Sequence, residues 1–252
     1  MTVKTGKLGV AAAVLAVLVA AGCQSVGSRV SPSAPTSTAD PARRFGCLTE
    51  EQNRTGSINV PAVSGVRPGY FQQSDAGTAK VALFFSHQLG GSICDWVPYL
   101  KAFTAAGYAV LATEEPGSPA RDVPAALTWL GGKGITKAVL IGASKGGTGS
   151  LEAAAERSTP LPVAAVVSLS GPTNYEGDRA LVAVAKIKAP VFFAAEQDDS
   201  PFAGDAKDLY ATSVSPAKTL KIYPGSRHGA DLLADGALND VLAFLAQNVP
   251  AQ

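Results

Sequence analysis

Val139-Leu140-Ile141-Gly142-Ala143-Ser144-Lys145-Gly146-Gly147 is the stretch that decides the fold. An apolar run enters Gly-x-Ser-x-Gly, and the residues that follow are spaced as a helix over 146–157. A serine on such a strand-to-helix turn is forced into the open at the C-terminal edge of a sheet. The positions around it must be small, because strand and helix approach closely there. Gly142, Ala143, Gly146 and Gly147 meet that demand. A serine hydroxyl is a weak nucleophile unless a base takes its proton. The base in turn needs a carboxylate to fix its tautomer.

Working outward, short apolar runs alternate with helix-like stretches. Strands are expected at 81–86, 109–113, 137–142, 163–168, 191–195 and 219–223. Helices are expected at 96–106, 123–130, 146–157, 203–212 and, as one long amphipathic helix, 231–247. Apolar strands alternating with helices predict an α/β protein, with a mostly parallel sheet covered on both faces. Only about twenty residues separate the strand ending near Ser168 from the one starting at Val191, which leaves little or no room for a lid. The chain offers two histidines. His228 lies in the loop after the last strand candidate, and His87 in the loop after the strand at 81–86. The run Pro190-Val191-Phe192-Phe193-Ala194-Ala195-Glu196-Gln197-Asp198-Asp199 is a strand that ends in two aspartates. Near the front of the domain, Phe84-Phe85-Ser86 leads into His87-Gln88-Leu89-Gly90-Gly91.

These elements, in this order, resemble the α/β-hydrolase superfamily over about residues 57–248. The compact layout is similar to its dienelactone-hydrolase-like and small carboxylesterase branches. The resemblance implies an eight-stranded, mostly parallel sheet and acyl-transfer chemistry. The order nucleophile, acid, base implies Ser144, an aspartate and His228 as the catalytic residues. Spacing from Pro190 favours Asp199 as the acid; Asp198 remains an alternative, and Asp178, one strand earlier, a third. The His-x-x-Gly-Gly segment resembles the oxyanion loop of esterases. It implies the backbone N–H groups of Leu89 and Lys145 as oxyanion donors, with His87 in a structural role. The usual glycine after the histidine is Gln88 here, which leaves the identity of the first donor open. Serine rather than aspartate at 144 excludes the haloalkane-dehalogenase and epoxide-hydrolase pattern, and a dienelactone hydrolase proper would carry cysteine there. The expected activity is carboxylic-ester hydrolysis of a small-molecule ester without cofactor or metal. The alternatives are a lipase or polyester hydrolase with the same triad, and an inactive hydrolase-like protein that binds an envelope ligand.

The N-terminus reads as an address. Lys4 and Lys7 precede an uncharged run, Leu8 to Gly22, of signal-peptide length and too short to span a bilayer comfortably. It ends in Val19-Ala20-Ala21-Gly22-Cys23, which resembles the lipobox of bacterial lipoproteins and implies lipidation of Cys23. An ordinary cleaved signal peptide is the other reading. Both place the mature protein outside the cytoplasm, either anchored to the membrane through Cys23 or freely secreted. Residues 1–22 are thus expected to be a signal peptide, 23–45 a Ser/Pro/Thr-rich tether, and 46–252 the hydrolase domain. Cys47 and Cys94 form an even pair that predicts a disulfide in an oxidising compartment; two buried thiols is the alternative. The chain is 46% hydrophobic and 16% charged, with a formal net charge of +1. That supports a sizeable core and lacks the basic field by which nucleic acid is bound.

Overall fold

The computed structural model describes residues 45–251. The expected signal peptide, Cys23 with its expected lipidation, and the expected tether up to residue 44 lie outside the described residues. Phe45, the last residue assigned to the tether, is buried with Leu48 in the core. Among the described residues no helix is long and apolar enough to cross a membrane.

Eight strands form one sheet in the order β1-β2-β4-β3-β5-β6-β9-β10. They are β1 (Ser57–Pro61), β2 (Val66–Gln72), β3 (Val81–Ser86), β4 (Ala109–Thr113), β5 (Lys137–Ala143), β6 (Val163–Leu169), β9 (Val191–Glu196) and β10 (Lys218–Tyr223). β2 runs antiparallel to both β1 and β4. From β4 to β10 every pairing is parallel. β3 and β9 are buried at all positions. Their uninterrupted apolar runs, Val81-Ala82-Leu83-Phe84-Phe85 and Val191-Phe192-Phe193-Ala194-Ala195, suit strands covered on both sides.

Alternation along each strand divides the interior into two cores. Leu83, Phe85, Val139, Ile141, Val167 and Phe192 face one side. There α2 (Val97–Ala105) and α7 (Ala237–Asn248) bring Leu100, Phe103, Val241 and Phe244, and Trp96 fills the space before α2. Phe84, Leu111, Leu140, Val166 and Phe193 face the other side, under α3 (Val123–Gly131), α4 (Lys145–Ala154), α5 (Ala180–Val184) and α6 (Phe202–Thr212). Each fully buried aliphatic or aromatic side chain contributes about 1.5–3 kcal/mol by leaving water. The two cores therefore hold the sheet, and with it the strand ends that carry the site.

The α/β expectation and the six parallel strands are observed. Three details differ. The long helix expected at 231–247 is a 3-10 turn, Gly229–Asp235, followed by α7. Gly236 stands between them at φ 103°, a left-handed conformation that ends the turn. The helix expected at 146–157 ends at Ala154. The front of the domain adds α1 (Glu50–Gly56), β1 and β2, whose mixed polarity and whose Pro68 and Gly69 concealed them. Between β6 and β9 there is only a short hairpin, β7 (Asn174–Tyr175) with β8 (Asp178–Arg179), and α5. That is a connection without a lid domain.

Candidate active site

Ser144 sits where β5 passes into α4. Its backbone is at φ 50° and ψ −118°, a strained conformation for a residue with a Cβ. The surroundings force it. A Cβ on Gly142 would lie 2.1 Å from the Gly146 carbonyl oxygen. One on Gly146 would lie 2.1 Å from the Ser86 carbonyl oxygen, and one on Gly147 would lie 2.6 Å from Ser168 Oγ. The Ser144 N–H is held by Leu169 O at 2.8 Å, and the Ser144 carbonyl accepts from Gly147 N at 2.8 Å. Backbone thus packs on backbone at Gly142 and Gly146, and on the Ser168 hydroxyl at Gly147.

Across the sheet edge, His228 Nδ1 lies 2.9 Å from Asp199 Oδ2 and 3.1 Å from Oδ1. A carboxylate can only accept from an imidazole, so Nδ1 carries the proton; in the neutral ring the lone pair is then on Nε2. Asp199 Oδ2 also accepts from Ser170 Oγ at 2.7 Å. Asp199 is nearly buried, whereas the His228 side chain keeps 30% of its surface, enough for a reactant to reach it. Phe202 packs on the imidazole with ring centres 4.3 Å apart. Asp198 is exposed and Asp178 bonds Ser118 Oγ in the hairpin, so neither is the partner of His228. Among the described residues no hydrogen bond joins Ser144 Oγ to His228. The two segments nevertheless touch: a Cβ on Gly229 would lie 3.2 Å from Ala143 Cβ.

Two side chains that sequence reasoning did not assign to the site hold the loop around His228. Glu196, fully buried at the end of β9, accepts from the Arg227 N–H at 2.6 Å. Gly225, at φ 118°, lets this carboxylate in, since a Cβ there would meet Glu196 Oε2 at 2.2 Å. Gln88 Oε1 accepts from the Ala230 N–H at 3.1 Å.

The loop after β3 is fixed by His87. Its Nε2 lies 3.0 Å from the Glu115 N–H, which can only donate, and its Nδ1 lies 2.8 Å from Gln88 O. His87 is therefore neutral with its proton on Nδ1; burial, with the nearby Lys145 charge, holds its pKa below the ordinary range. Leu89 follows and is 71% exposed. Lys145 occupies the first turn of α4, where the helix supplies no acceptor for its N–H. Its side chain turns inward and donates to Glu115 O at 2.7 Å and Gly117 O at 2.9 Å. Burial pulls the Lys145 pKa down, against the pull of Glu115. Glu115 is the other residue that sequence reasoning passed over. Burial pushes its carboxyl up to about 8, opposed by Lys145 and by hydroxyl donors from Ser86 and Thr113. Its Oε2 is buried without a partner. A hollow of about 290 Å³ opens here, lined by His87, Leu89, Gly90, Gly91, Glu114, Glu115, Pro116 and Lys145.

Cys47 and Cys94 are joined by a disulfide with Cα atoms 5.6 Å apart. The bridge pins the segment after Phe45 to the 3-10 turn Ile93–Asp95, which follows the His87–Gly91 loop. Among the described residues no group of three or more His, Cys, Asp or Glu could hold a metal ion.

No family model and no curated protein matches the sequence. Solved structures do match in fold. An esterase of Pyrococcus furiosus superposes with a TM-score of 0.66 at 15% identity, over 76% of this chain and 90% of that one. A dienelactone hydrolase of Anabaena variabilis gives 0.60 at 23% identity, over 76% and 94%. The esterase domain of a Rhodothermus marinus protein gives 0.62 at 18% identity, over 76% and 97%. With the eight-stranded sheet described above, these likenesses define the α/β-hydrolase fold.

Proposed function

We propose that this protein is a serine hydrolase that cleaves carboxylic esters through an acyl-enzyme on Ser144. The observation that carries the reading is the chain Ser170–Asp199–His228, at the sheet edge that also bears Ser144 on its strained strand-to-helix turn. His228 Nε2 takes the Ser144 proton as Oγ attacks the ester carbonyl. The imidazolium is held by Asp199 and returns the proton to the leaving alcohol. Water then enters, His228 activates it, and the acyl group leaves Ser144. The oxyanion is held by the backbone N–H groups of Lys145 and Leu89. Such donors are fixed before charge develops, and losing one typically costs about 10²–10³ in rate. No step calls for a cofactor or metal.

The export reading completes the proposal. Residues 1–22 direct the chain out of the cytoplasm, Cys23 carries a lipid or is incidental to an ordinary cleaved signal peptide, and residues 23–44 tether the domain. The disulfide fits an oxidising compartment.

A panel of p-nitrophenyl esters of increasing acyl length tests the activity. Wild-type protein is expected to hydrolyse at least the short members, and Ser144→Ala to lose turnover by several orders of magnitude with Tm unchanged. Hydrolysis that survives in Ser144→Ala would remove the reading. A wild-type protein inert to the whole panel would favour the ligand-binding alternative.

A further inference from the structure

We infer that Gln88 is a positioning residue that ties the loop bearing the oxyanion donor to the loop bearing the base. The inference rests on the proposed triad. Its carrier is geometric. Gln88 uses two oxygens in two directions. Its backbone carbonyl accepts from His87 Nδ1 at 2.8 Å, which sets the course of the chain just before Leu89. Its side-chain Oε1 accepts from the Ala230 N–H at 3.1 Å, across 142 residues of sequence. Ala230 lies two residues after His228, at the start of the turn Gly229–Asp235.

The loop between them has been shaped to admit this contact. Gly229 is at φ 62°, and a Cβ on it would fall 2.1 Å from Gln88 Oε1 and 3.2 Å from Ala143 Cβ. The residue after the base is therefore caught between Gln88 and the residue before the nucleophile. On its other side the same loop is held by Glu196, which accepts from the Arg227 N–H. His228 is thus bracketed by two acceptors, one at residue 227 and one at residue 230. Only the second also belongs to the oxyanion loop. Gln88 makes the distance between the base and the oxyanion donor depend on one side chain. A glycine at position 88, which the esterase resemblance leads one to expect, has nothing to reach Ala230 with.

Methionine has the length of glutamine without its acceptor, and glutamate keeps an acceptor. Misplacing a catalytic group by about 1 Å can cost about 100-fold. Gln88→Met is therefore expected to lower kcat about 10–100-fold, with KM changed less than about threefold and Tm within a few degrees. Gln88→Glu is expected to restore most of kcat, because a carboxylate oxygen accepts from the Ala230 N–H. Its added negative charge favours the imidazolium of His228, so the acid limb of its pH–rate profile should move to higher pH. Rates of fluorophosphonate capture at Ser144 should follow the same order.

Wild-type kcat in Gln88→Met would overturn the inference. So would equal losses in Gln88→Met and Gln88→Glu, or a loss confined to KM, each of which describes packing alone. If Gln88→Met does not fold, Gln88→Ala replaces it under the same criteria. A wild-type protein that captures no probe at Ser144 defeats the functional reading itself, and the inference with it. Capture by wild type, with unaltered variants, defeats only the role of Gln88.

Discussion

The turn that carries Ser144 and the loop that carries His228 are held by different means. At the turn, backbone meets backbone: the groups that a Cβ on Gly142 or Gly146 would strike are the carbonyls of Gly146 and Ser86. At the loop, side chains add to a backbone bond from Asp198 N–H to Gly225 O: Asp199 on the imidazole, Glu196 on the Arg227 N–H and Gln88 on the Ala230 N–H. The two halves of the site therefore tolerate change differently. A rigid turn must be right in its local sequence or fail outright. A loop held by distant side chains can lose one hold and remain folded, at a cost in rate.

The sharpest contrast is between two glycines. Gly146→Ala drives a Cβ into the Ser86 carbonyl, which belongs to the end of β3 and cannot swing aside. It is expected to abolish turnover and to lower Tm by more than about 10 °C, or to prevent soluble expression; calorimetry and yield report it. Gly225→Ala meets the Glu196 carboxylate instead, though its φ of 118° adds strain. It should fold, with a smaller fall in Tm than Gly146→Ala and a clear loss of kcat. Equal behaviour of the two variants would erase the contrast.

Within the base loop, Asp199→Asn should lower kcat by about 10³–10⁴ with the fold intact, since the wrong tautomer of His228 is then favoured. Ser170→Ala removes one donor to Asp199 and should cost about 10–100-fold, by the weight of a single hydrogen bond to a charged group. Asp198→Asn, at an exposed position, should stay within about twofold. A larger effect at Asp198 than at Asp199 in steady-state kinetics would transfer the acid to Asp198.

The disulfide holds the region in front of both. It spans 47 residues and anchors the turn that follows the His87–Gly91 loop. Replacing both Cys47 and Cys94 with Ala should destabilise the domain by about 2–4 kcal/mol in urea unfolding, while the remaining folded protein keeps most of its turnover. Loss of turnover without loss of stability would mean that the bridge shapes the oxyanion loop directly.

Glu115 supplies the most specific effect. Its carboxyl is raised to about 8 in the folded protein, so the folded state holds a proton that the unfolded state has already released above the ordinary carboxylate range. Unfolding then becomes easier as pH rises from about 5 to about 8. Glu115→Gln should flatten that decline in Tm, and an unchanged slope would show that Glu115 is ionised together with Lys145.

These contrasts explain what the sequence made legible. The Ser144 turn was visible because its demands are local: an apolar strand, small residues on either side and a helix after it. His228 and the Cys47–Cys94 bridge were visible because the chain offers few residues of either kind. Asp199 could be preferred over Asp198 only by spacing; the structure bonds Asp199, not Asp198, to His228. Glu196, Gln88 and Glu115 were not assigned, because each acts through a backbone N–H or a buried pocket brought near by the sheet order. Residues 31 and 142 positions apart carry no mark of one another in a single sequence. The break at Gly236 was missed because the 3-10 turn and α7 bury their apolar residues on the same core, in a pattern that one helix would also satisfy.

The central claim is that Ser144 is the nucleophile and His228 its base, and covalent capture tests it most directly. Trypsin releases Ala138–Lys145, a peptide with Ser144 as its sole serine. After incubation of native protein with a fluorophosphonate, that peptide should carry the phosphonyl group. Capture should be slowed by orders of magnitude in His228→Gln and absent in Ser144→Ala. An unmodified Ala138–Lys145 peptide, or capture equally fast in His228→Gln, would contradict the account.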